Sequence, residues 1–173
     1  MKTYLQLFVL AGLSASTFLS AAESTTASSR ASVSYDSPDK FTDFKSENLS
    51  NDKDIAYLCD LFTAHVEKLA EQYLPTGTHL EVRFNDIDLA GDFEPQRGPR
   101  ADNIRFMRDI YPPRMTLEFR LLGPEGKVLA EGERKLSQPY YTWMSVQPMN
   151  EPFRYDRQLL TDWMRSEFKR AKS

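Results

Sequence analysis

The hydrophobic positions of the chain predict two amphipathic helices. Between residues 51 and 73 the apolar side chains lie three, four and seven positions apart, which places them on one side of a helix. Pro75 and Gly77 follow, and because proline cannot continue the helical hydrogen-bond ladder, we expect the helix to end near Leu74. The second helix begins near Phe153, and its apolar stripe consists of Tyr155, Leu159, Leu160, Trp163, Met164 and Phe168.

Alternation of apolar and polar residues predicts strands in the rest of the chain. A short strand covers 33–35, and a longer one begins at 80 and restarts out of phase at Ile87, as a β-bulge would require. Residues 104–110 are ambiguous between strand and helical turn, and a strand is favoured. The strongest signal is a hairpin of 115–121 with 128–132 around Gly-Pro-Glu-Gly. Pairing Leu122 with Lys127 would put Phe119 opposite Ala130.

Together these elements predict an α+β fold. We expect a two-layer sandwich in which an antiparallel sheet of about four strands carries two amphipathic helices on one face. The other face should be solvated, because the hairpin places charged side chains there. Since no repeat or second linker interrupts the pattern, residues 33–173 are predicted to form a single domain. The charged positions of that face are Glu118, Arg120, Glu131 and Glu133.

The first 22 residues are typical of a secretory signal peptide. Lys2 precedes an apolar run at 5–13, and Ser20-Ala21-Ala22 provides small side chains for cleavage. Serine and threonine interrupt the apolar run, so it is short of the roughly 20 residues that a membrane-spanning helix needs. No later segment approaches a transmembrane span, and we expect the protein in the periplasm. Residues 23–32 are small and polar and predict a disordered lead-in.

Composition excludes several classes of function. With 22 Lys and Arg against 25 Asp and Glu, the net charge of −3 argues against nucleic-acid binding. One cysteine cannot form an internal disulfide, and with two histidines it cannot build a Cys/His zinc site. Cys59 lies on the apolar face of the first helix and His65 on its flank, so neither indicates a nucleophile or base. No cofactor is expected, and the sequence favours a protein without enzymatic activity.

An acidic cluster of Asp86, Asp88, Asp92 and Glu94 follows the second predicted strand. Calcium loops need oxygen ligands at alternate positions and a bidentate Glu at the twelfth. Counted from Asp86, Ala90 occupies the fifth position and Arg97 the twelfth, so no metal site is expected. A metal-dependent hydrolase that uses residues 86–94 stays an alternative.

The next segment is rich in arginine. Residues 97–114 contain five Arg and no Lys, whereas 81–94 contain five acids and one Arg. The simplest interpretation is that the two segments neutralise each other across a sheet or loop. Because guanidinium groups bind carboxylate or phosphate bidentately, an anion pocket formed by Arg105, Arg108 and Arg114 stays open as well.

Two motifs of the chain resemble the signature of a known family. They are Asp-Ile-Asp-Leu-Ala-Gly at 86–91 and Ile-Arg-Phe-Met-Arg-Asp-Ile-Tyr-Pro-Pro-Arg at 104–114. Both are similar to an exported proteobacterial family catalogued as domain of unknown function 3016, and similar flanks extend over nearly all of the chain after residue 32. The resemblance implies a periplasmic or envelope-associated protein of Gram-negative cells. It implies no activity and no functional residue.

The leading hypothesis is a periplasmic binding or interaction module of the cell envelope that performs no catalytic chemistry. Its partner would be an envelope protein, docking on a sheet edge or on loop 93–103, or an anionic ligand at the arginines. Tyr140, Tyr141 and Trp143 are candidates for an exposed aromatic surface or for core positions. A homodimeric structural protein, associating through Trp143 and its neighbours, is a further alternative.

We expect the exported chain to begin at Glu23. In a Gram-negative host, Ala22→Tyr should block processing because the residue before the cleavage site must be small, whereas Ala22→Gly should not. Intact-mass measurement of the periplasmic fraction checks this. A full-length chain recovered from the cytoplasm would contradict it.

Overall fold

The computed structural model describes residues 29–47, 51–98 and 101–168. The predicted signal peptide 1–22, most of the predicted lead-in 23–32, and Arg100 lie outside the described residues. The elements in chain order are β1 (Ala31–Tyr35), α1 (Asp52–Tyr73), β2 (His79–Asp88), β3 (Asp92–Phe93), β4 (Arg105–Phe106), β5 (Arg114–Leu122), β6 (Val128–Ser137) and α2 (Arg154–Phe168).

The main sheet has four strands in the order β1-β2-β5-β6, and β3 and β4 form a separate two-stranded pair. The predicted α+β class with two helices is therefore confirmed. One feature of the prediction is wrong: β1 runs parallel to β2, so the sheet is mixed rather than antiparallel. The reason is that α1 connects the two strands, and a helical crossover of this length allows parallel pairing. β1 also starts at Ala31, so residues 31 and 32 belong to a strand and not to the lead-in.

Helix α1 forms where the sequence predicts it. The Asn51 side chain caps the helix by accepting hydrogen bonds from the backbone N–H groups of Lys53 and Asp54. The helix ends at Tyr73, just before Pro75. Its stripe packs into the core, where α2 joins it on the same face of the sheet; the buried residues of α1 are Leu58, Phe62, Val66, Leu69 and Ala70.

Strand β2 contains the predicted bulge. Its register against β5 shifts between Phe84 and Asp86, so that Phe84 and Ile87 both face the helices although they are three residues apart. The predicted strand at 104–110 is present but confined to Arg105–Phe106.

The predicted register of the β5–β6 hairpin is wrong by two residues. Phe119 lies opposite Gly132, not Ala130, and Leu122 lies opposite Val128. The cause is the turn: the Gly123 N–H donates to the Lys127 carbonyl at 2.8 Å, which closes the hairpin one residue beyond Leu122, and a bulge follows. Gly132 offers no side chain that Phe119 could contact across the strand pair. The Phe119 ring packs against α2, with its centroid 5.8 Å from those of Trp163 and Phe168.

The opposite face of the sheet is polar, as predicted. Arg120 of β5 lies between Glu81 of β2, at 3.4 Å, and Glu131 of β6, at 3.5 Å. Such exposed pairs contribute about 0–1 kcal/mol each, so the ion pairs on this solvent-exposed face add little to the stability of the fold. Among the described residues no helix is long and apolar enough to cross a membrane.

Candidate functional site

Arg105 is a buried connector between segments, not an open anion site. Its guanidinium, 9% exposed, binds Asp43 through Nη1–Oδ2 at 2.7 Å and Nη2–Oδ1 at 3.2 Å. It also donates to the carbonyls of Gly91 and Lys45, both at 2.8 Å, and lies 4.6 Å from the Phe93 ring centroid. Since both Nη groups are used by the protein, Arg105 holds the loop before α1 against β3 and β4.

Glu94 pairs with two more arginines of the arginine-rich segment 97–114. Its carboxylate is buried and accepts hydrogen bonds from Arg97 and from the Tyr111 hydroxyl, the latter at 3.3 Å. It also forms an ion pair with Arg108 Nε at 3.3 Å. Loop 93–103 is thus tied to 108–111 by a single acid.

The remaining members of the acidic cluster have separate partners. Asp86 accepts from the backbone N–H and hydroxyl of Thr42, at 2.7 and 2.8 Å, and Asp88 pairs with Arg114 at 2.9 Å. Asp92 Oδ1 accepts from the Phe93 N–H at 2.7 Å. The expected pairing of acidic and basic segments therefore occurs for Arg97, Arg108 and Arg114, whereas Arg105 finds Asp43, outside the acidic segment.

Some of these residues line a common cleft of about 380 Å³. Asp88, Asp92 and Arg114 are on its wall, together with Asp43 and Ile110. Burial raises the pKa of Asp88, and the neighbouring Asp43 and Asp86 charges add to the effect. The carboxylates do not converge as metal ligands: the described part of the chain has no group of three or more His, Cys, Asp or Glu side chains placed to hold an ion.

Cys59 and His65 take part in helix packing. Burial raises the pKa of the Cys59 thiol, which disfavours the reactive thiolate. His65 Nε2 lies 2.9 Å from the Arg157 carbonyl of α2, and burial lowers the pKa of the ring to about 4. His65 therefore stays neutral at physiological pH and joins the two helices, at the wall of a surface cleft that Arg157 also lines. The Cys59 thiol stays protonated and packs against the core.

Two loops interlock beside β4. In the loop that follows β4, Asp109 accepts from the Thr142 hydroxyl at 2.5 Å and from the Trp143 indole N–H at 3.0 Å. In return, the buried Tyr141 hydroxyl accepts from the Arg108 N–H at 3.0 Å. Tyr141 packs edge-on against Tyr155 of α2 with ring centroids 4.8 Å apart, which anchors both loops to the helical layer.

These loops present a set of exposed apolar side chains. Trp143 is 83% exposed, Tyr140 69% and Ile110 68%, although the hydrogen bonds just described hold the Trp143 indole N–H and the Arg108 backbone N–H in place. Of the nine large hydrophobic residues that are exposed in the described part of the chain, six belong to 104–111 and 140–149. We call this set the apolar loop surface; it consists of Ile104, Met107, Ile110, Tyr140, Trp143 and Met149.

Asp156, in the first turn of α2, lies beneath the loops. It is 1% exposed, and its Oδ1 accepts from the Ala90 N–H at 2.8 Å. Burial raises the pKa of Asp156 to about 7, and nearby Asp43 contributes, while the Ala90 hydrogen bond and the Arg105 charge act in the opposite direction. A carboxyl group that titrates near neutrality therefore joins α2 to the segment after β2.

Sequence reasoning identified the arginines and acids but missed their key partners. Asp43 and Asp156 are 62 and 51 residues away from Arg105 in the chain, and nothing in the local pattern marks either as buried. The sequence did mark Tyr140, Tyr141 and Trp143 as candidates for an exposed surface or for the core. Only the structure shows that Tyr141 is buried whereas Tyr140 and Trp143 are exposed.

We expect Arg105→Gln to lower the free energy of unfolding by about 3 kcal/mol, because the buried Asp43 carboxylate loses its forked partner and keeps only a longer contact to Lys45 Nζ, at 3.9 Å. Arg105→Lys should recover only part of this, since an ammonium group cannot reproduce the forked contacts. Arg114→Gln is the matched control: the Arg114 side chain is 56% exposed, so loss of its pair with the partly buried Asp88 should cost less, about 1 kcal/mol. Urea denaturation gives the comparison, and equal losses in the Arg105 and Arg114 variants would contradict the assignment.

The raised pKa of Asp156 predicts a pH-dependent stability. Between the unfolded value of 3.8 and the folded value of about 7, the native state binds the extra proton. The contribution of Asp156 to the free energy of unfolding should be greatest below pH 4. It should fall as the pH rises through 7, by at most about 1.4 kcal/mol per pH unit.

Asp156→Asn keeps an acceptor for Ala90 and stays neutral, so its melting temperature relative to the wild type should increase from pH 5 to pH 8. Asp162→Asn, farther along α2, controls for the loss of a helix charge. A variant that is destabilised equally at both pH values would show that Asp156 is ionised and favourably paired.

Comparison with known proteins supplies a family for this fold. A family model described as "Protein of unknown function (DUF3016)" matches residues 29–166, which include every element from β1 to most of α2. No match was found among curated proteins or among solved structures. The matched region covers well over half of the chain and contains both Arg105 with Asp43 and the apolar loop surface; the chain belongs to the DUF3016 family.

Proposed function

We propose that the protein is a periplasmic interaction module of the cell envelope, and that it binds another envelope protein through the apolar loop surface. The observation that carries the proposal is the exposure of six large apolar side chains on two loops whose backbones are held in place. Exposed apolar side chains concentrated on two interlocked loops are typical of interaction sites, because leaving them in water is unfavourable.

The composition of the surface supports a protein partner. Trp, Tyr and Met are enriched at the centres of protein interfaces, and a few such residues supply most of the binding energy. The loops are ordered before binding by Asp109, Tyr141 and Arg105, so little conformational entropy is lost when a partner docks. Arg108 and Arg114, partly exposed at the border, are suited to a polar rim.

The charged groups favour this proposal over the alternatives. An anion pocket formed by the three arginines would need Arg105, but both Nη groups of Arg105 are bound to Asp43. Arg108 and Arg114 each pair with a carboxylate as well, Glu94 and Asp88. A metal-dependent hydrolase would need unpaired acids at a common point, whereas Asp88 and Glu94 have arginine partners. The periplasmic location is proposed from the signal-like pattern of residues 1–22.

The test compares two matched variants in binding to a periplasmic extract. Trp143→Ser should reduce recovery of crosslinked partner by about 30-fold, the loss typical of a central interface residue. Tyr57→Ser removes an aromatic ring that is 48% exposed on α1 and should leave recovery unchanged. Quantitative mass spectrometry of the crosslinked species measures both.

A second readout uses the two tryptophans, because Trp143 is exposed and Trp163 is buried. Adding the purified partner should protect the exposed indole from iodide quenching. Equal recovery with both variants, or unchanged quenching, would contradict the proposal.

A further inference from the structure

Strand β6 forms an edge of the sheet that has no neighbour among the described residues. It spans ten residues, pairs with β5 on one side only, and no described strand lies on its other side. Such an edge offers a row of backbone N–H and C=O groups that can pair with another strand.

The hydrogen-bond pattern determines which residues of β6 face outward. The Gln138 N–H donates to the Pro113 carbonyl, continuing the register in which Arg114 lies opposite Ser137. In antiparallel pairs hydrogen-bonded and non-hydrogen-bonded positions alternate, so even-numbered residues of β6 bond to β5 and odd-numbered residues from 131 to 137 direct their backbone groups away from it.

The same odd-numbered residues place their side chains on the polar face of the sheet. Glu131 and Glu133 are more than half exposed there, and Lys135 is 79% exposed. A strand added at this edge must therefore carry charges that complement this row of side chains, which is negative at Glu131 and Glu133 and positive at Lys135.

We propose that the β6 edge pairs with the β6 edge of a second copy of this chain, antiparallel and centred on Arg134. Two-fold symmetry then places each Glu133 opposite Lys135 of the other copy, and Glu131 opposite Ser137. Shifting the register by two residues in either direction puts Glu133 opposite Glu133 or Lys135 opposite Lys135. Among these registers, only the centred one pairs unlike charges on the polar face without placing like charges opposite each other on that face.

The inner face accommodates this register as well. Leu136, which is only partly buried at the margin of the core, comes to lie opposite Gly132 of the other copy, which adds no side chain of its own and lies beside the Arg134 guanidinium. The two Arg134 residues meet at the centre, but each guanidinium is bound to Glu167 at 2.7 and 2.8 Å and lies over the Phe119 ring. Their charges are thereby neutralised within each copy.

A single strand pair buries a small area, so we expect a weak, reversible dimer with a dissociation constant in the micromolar range or above. It would join two four-stranded sheets into one of eight strands. The dimer is independent of the proposed partner at the apolar loop surface, and either can fail without the other.

The test is a charge-swap cycle measured by sedimentation velocity. Lys135→Glu and Glu133→Lys each create two like-charge pairs per dimer and should raise the dissociation constant about tenfold or more. The double variant restores the pairs with reversed sign and should recover wild-type affinity. Lys127→Glu and Glu125→Lys, on the hairpin turn, carry the same charge changes as controls and should dimerise normally.

Glu133→Pro is a complementary variant, because its N–H faces away from β5 and its loss should spare the fold while it abolishes the dimer. Circular dichroism checks the fold of each variant. A chain that is monomeric at millimolar concentration would overturn the proposal. A dimer that survives the β6 charge changes but is lost in Trp143→Ser would also overturn it, since the apolar loop surface would then be the contact.

Discussion

The buried ion pair of Arg105 with Asp43 is the interaction on which the loop region depends. It joins the loop before α1 to β4, and the same Nη groups also donate to the carbonyls of Gly91 and Lys45. Asp156 approaches the same region from α2 and takes the Ala90 N–H. Isolated buried charges are strongly unfavourable, so these groups stay together only if all three segments are in place. The pair thus makes the position of the loops cooperative with the folding of the core.

This arrangement explains how a small domain keeps a large apolar surface exposed. Flexible loops with this many apolar side chains would fold back onto the core, where burial is favourable. Here Asp109 holds the Trp143 indole and Tyr141 holds the Arg108 N–H, so the two loops are fixed against each other while Trp143 and Ile110 stay exposed. The two interaction surfaces then differ in chemistry: the loops offer apolar contact area, and the β6 edge offers backbone hydrogen bonds and ordered charge.

The acidic segment 81–94 and the arginine-rich segment 97–114 form ion pairs both within one turn and between residues far apart in the chain. Glu94 binds Arg97 and Arg108, and Asp88 binds Arg114, because a turn and a neighbouring strand bring segments of opposite sign together. The Arg97 contact is local, within one turn, whereas Asp88 and Arg114 are brought together by the pairing of β2 with β5. Arg105 differs because the short β4 strand directs it inward, where only Asp43 supplies a carboxylate of matching geometry.

Features that depend on local periodicity and turn chemistry could be predicted from the amino-acid sequence. They are α1 with its end before Pro75, the apolar stripe of α2, the bulge in β2 and the polar face of the sheet. The resemblance to the family could also be found from sequence motifs. Tertiary structure alone decided the parallel placement of β1, the register of β5 against β6, and the buried partners Asp43 and Asp156. It also separated Tyr141 from Trp143. The reason is physical: periodicity reports which side of an element is apolar, whereas strand order, register and ion pairing are set by contacts between residues far apart in the chain.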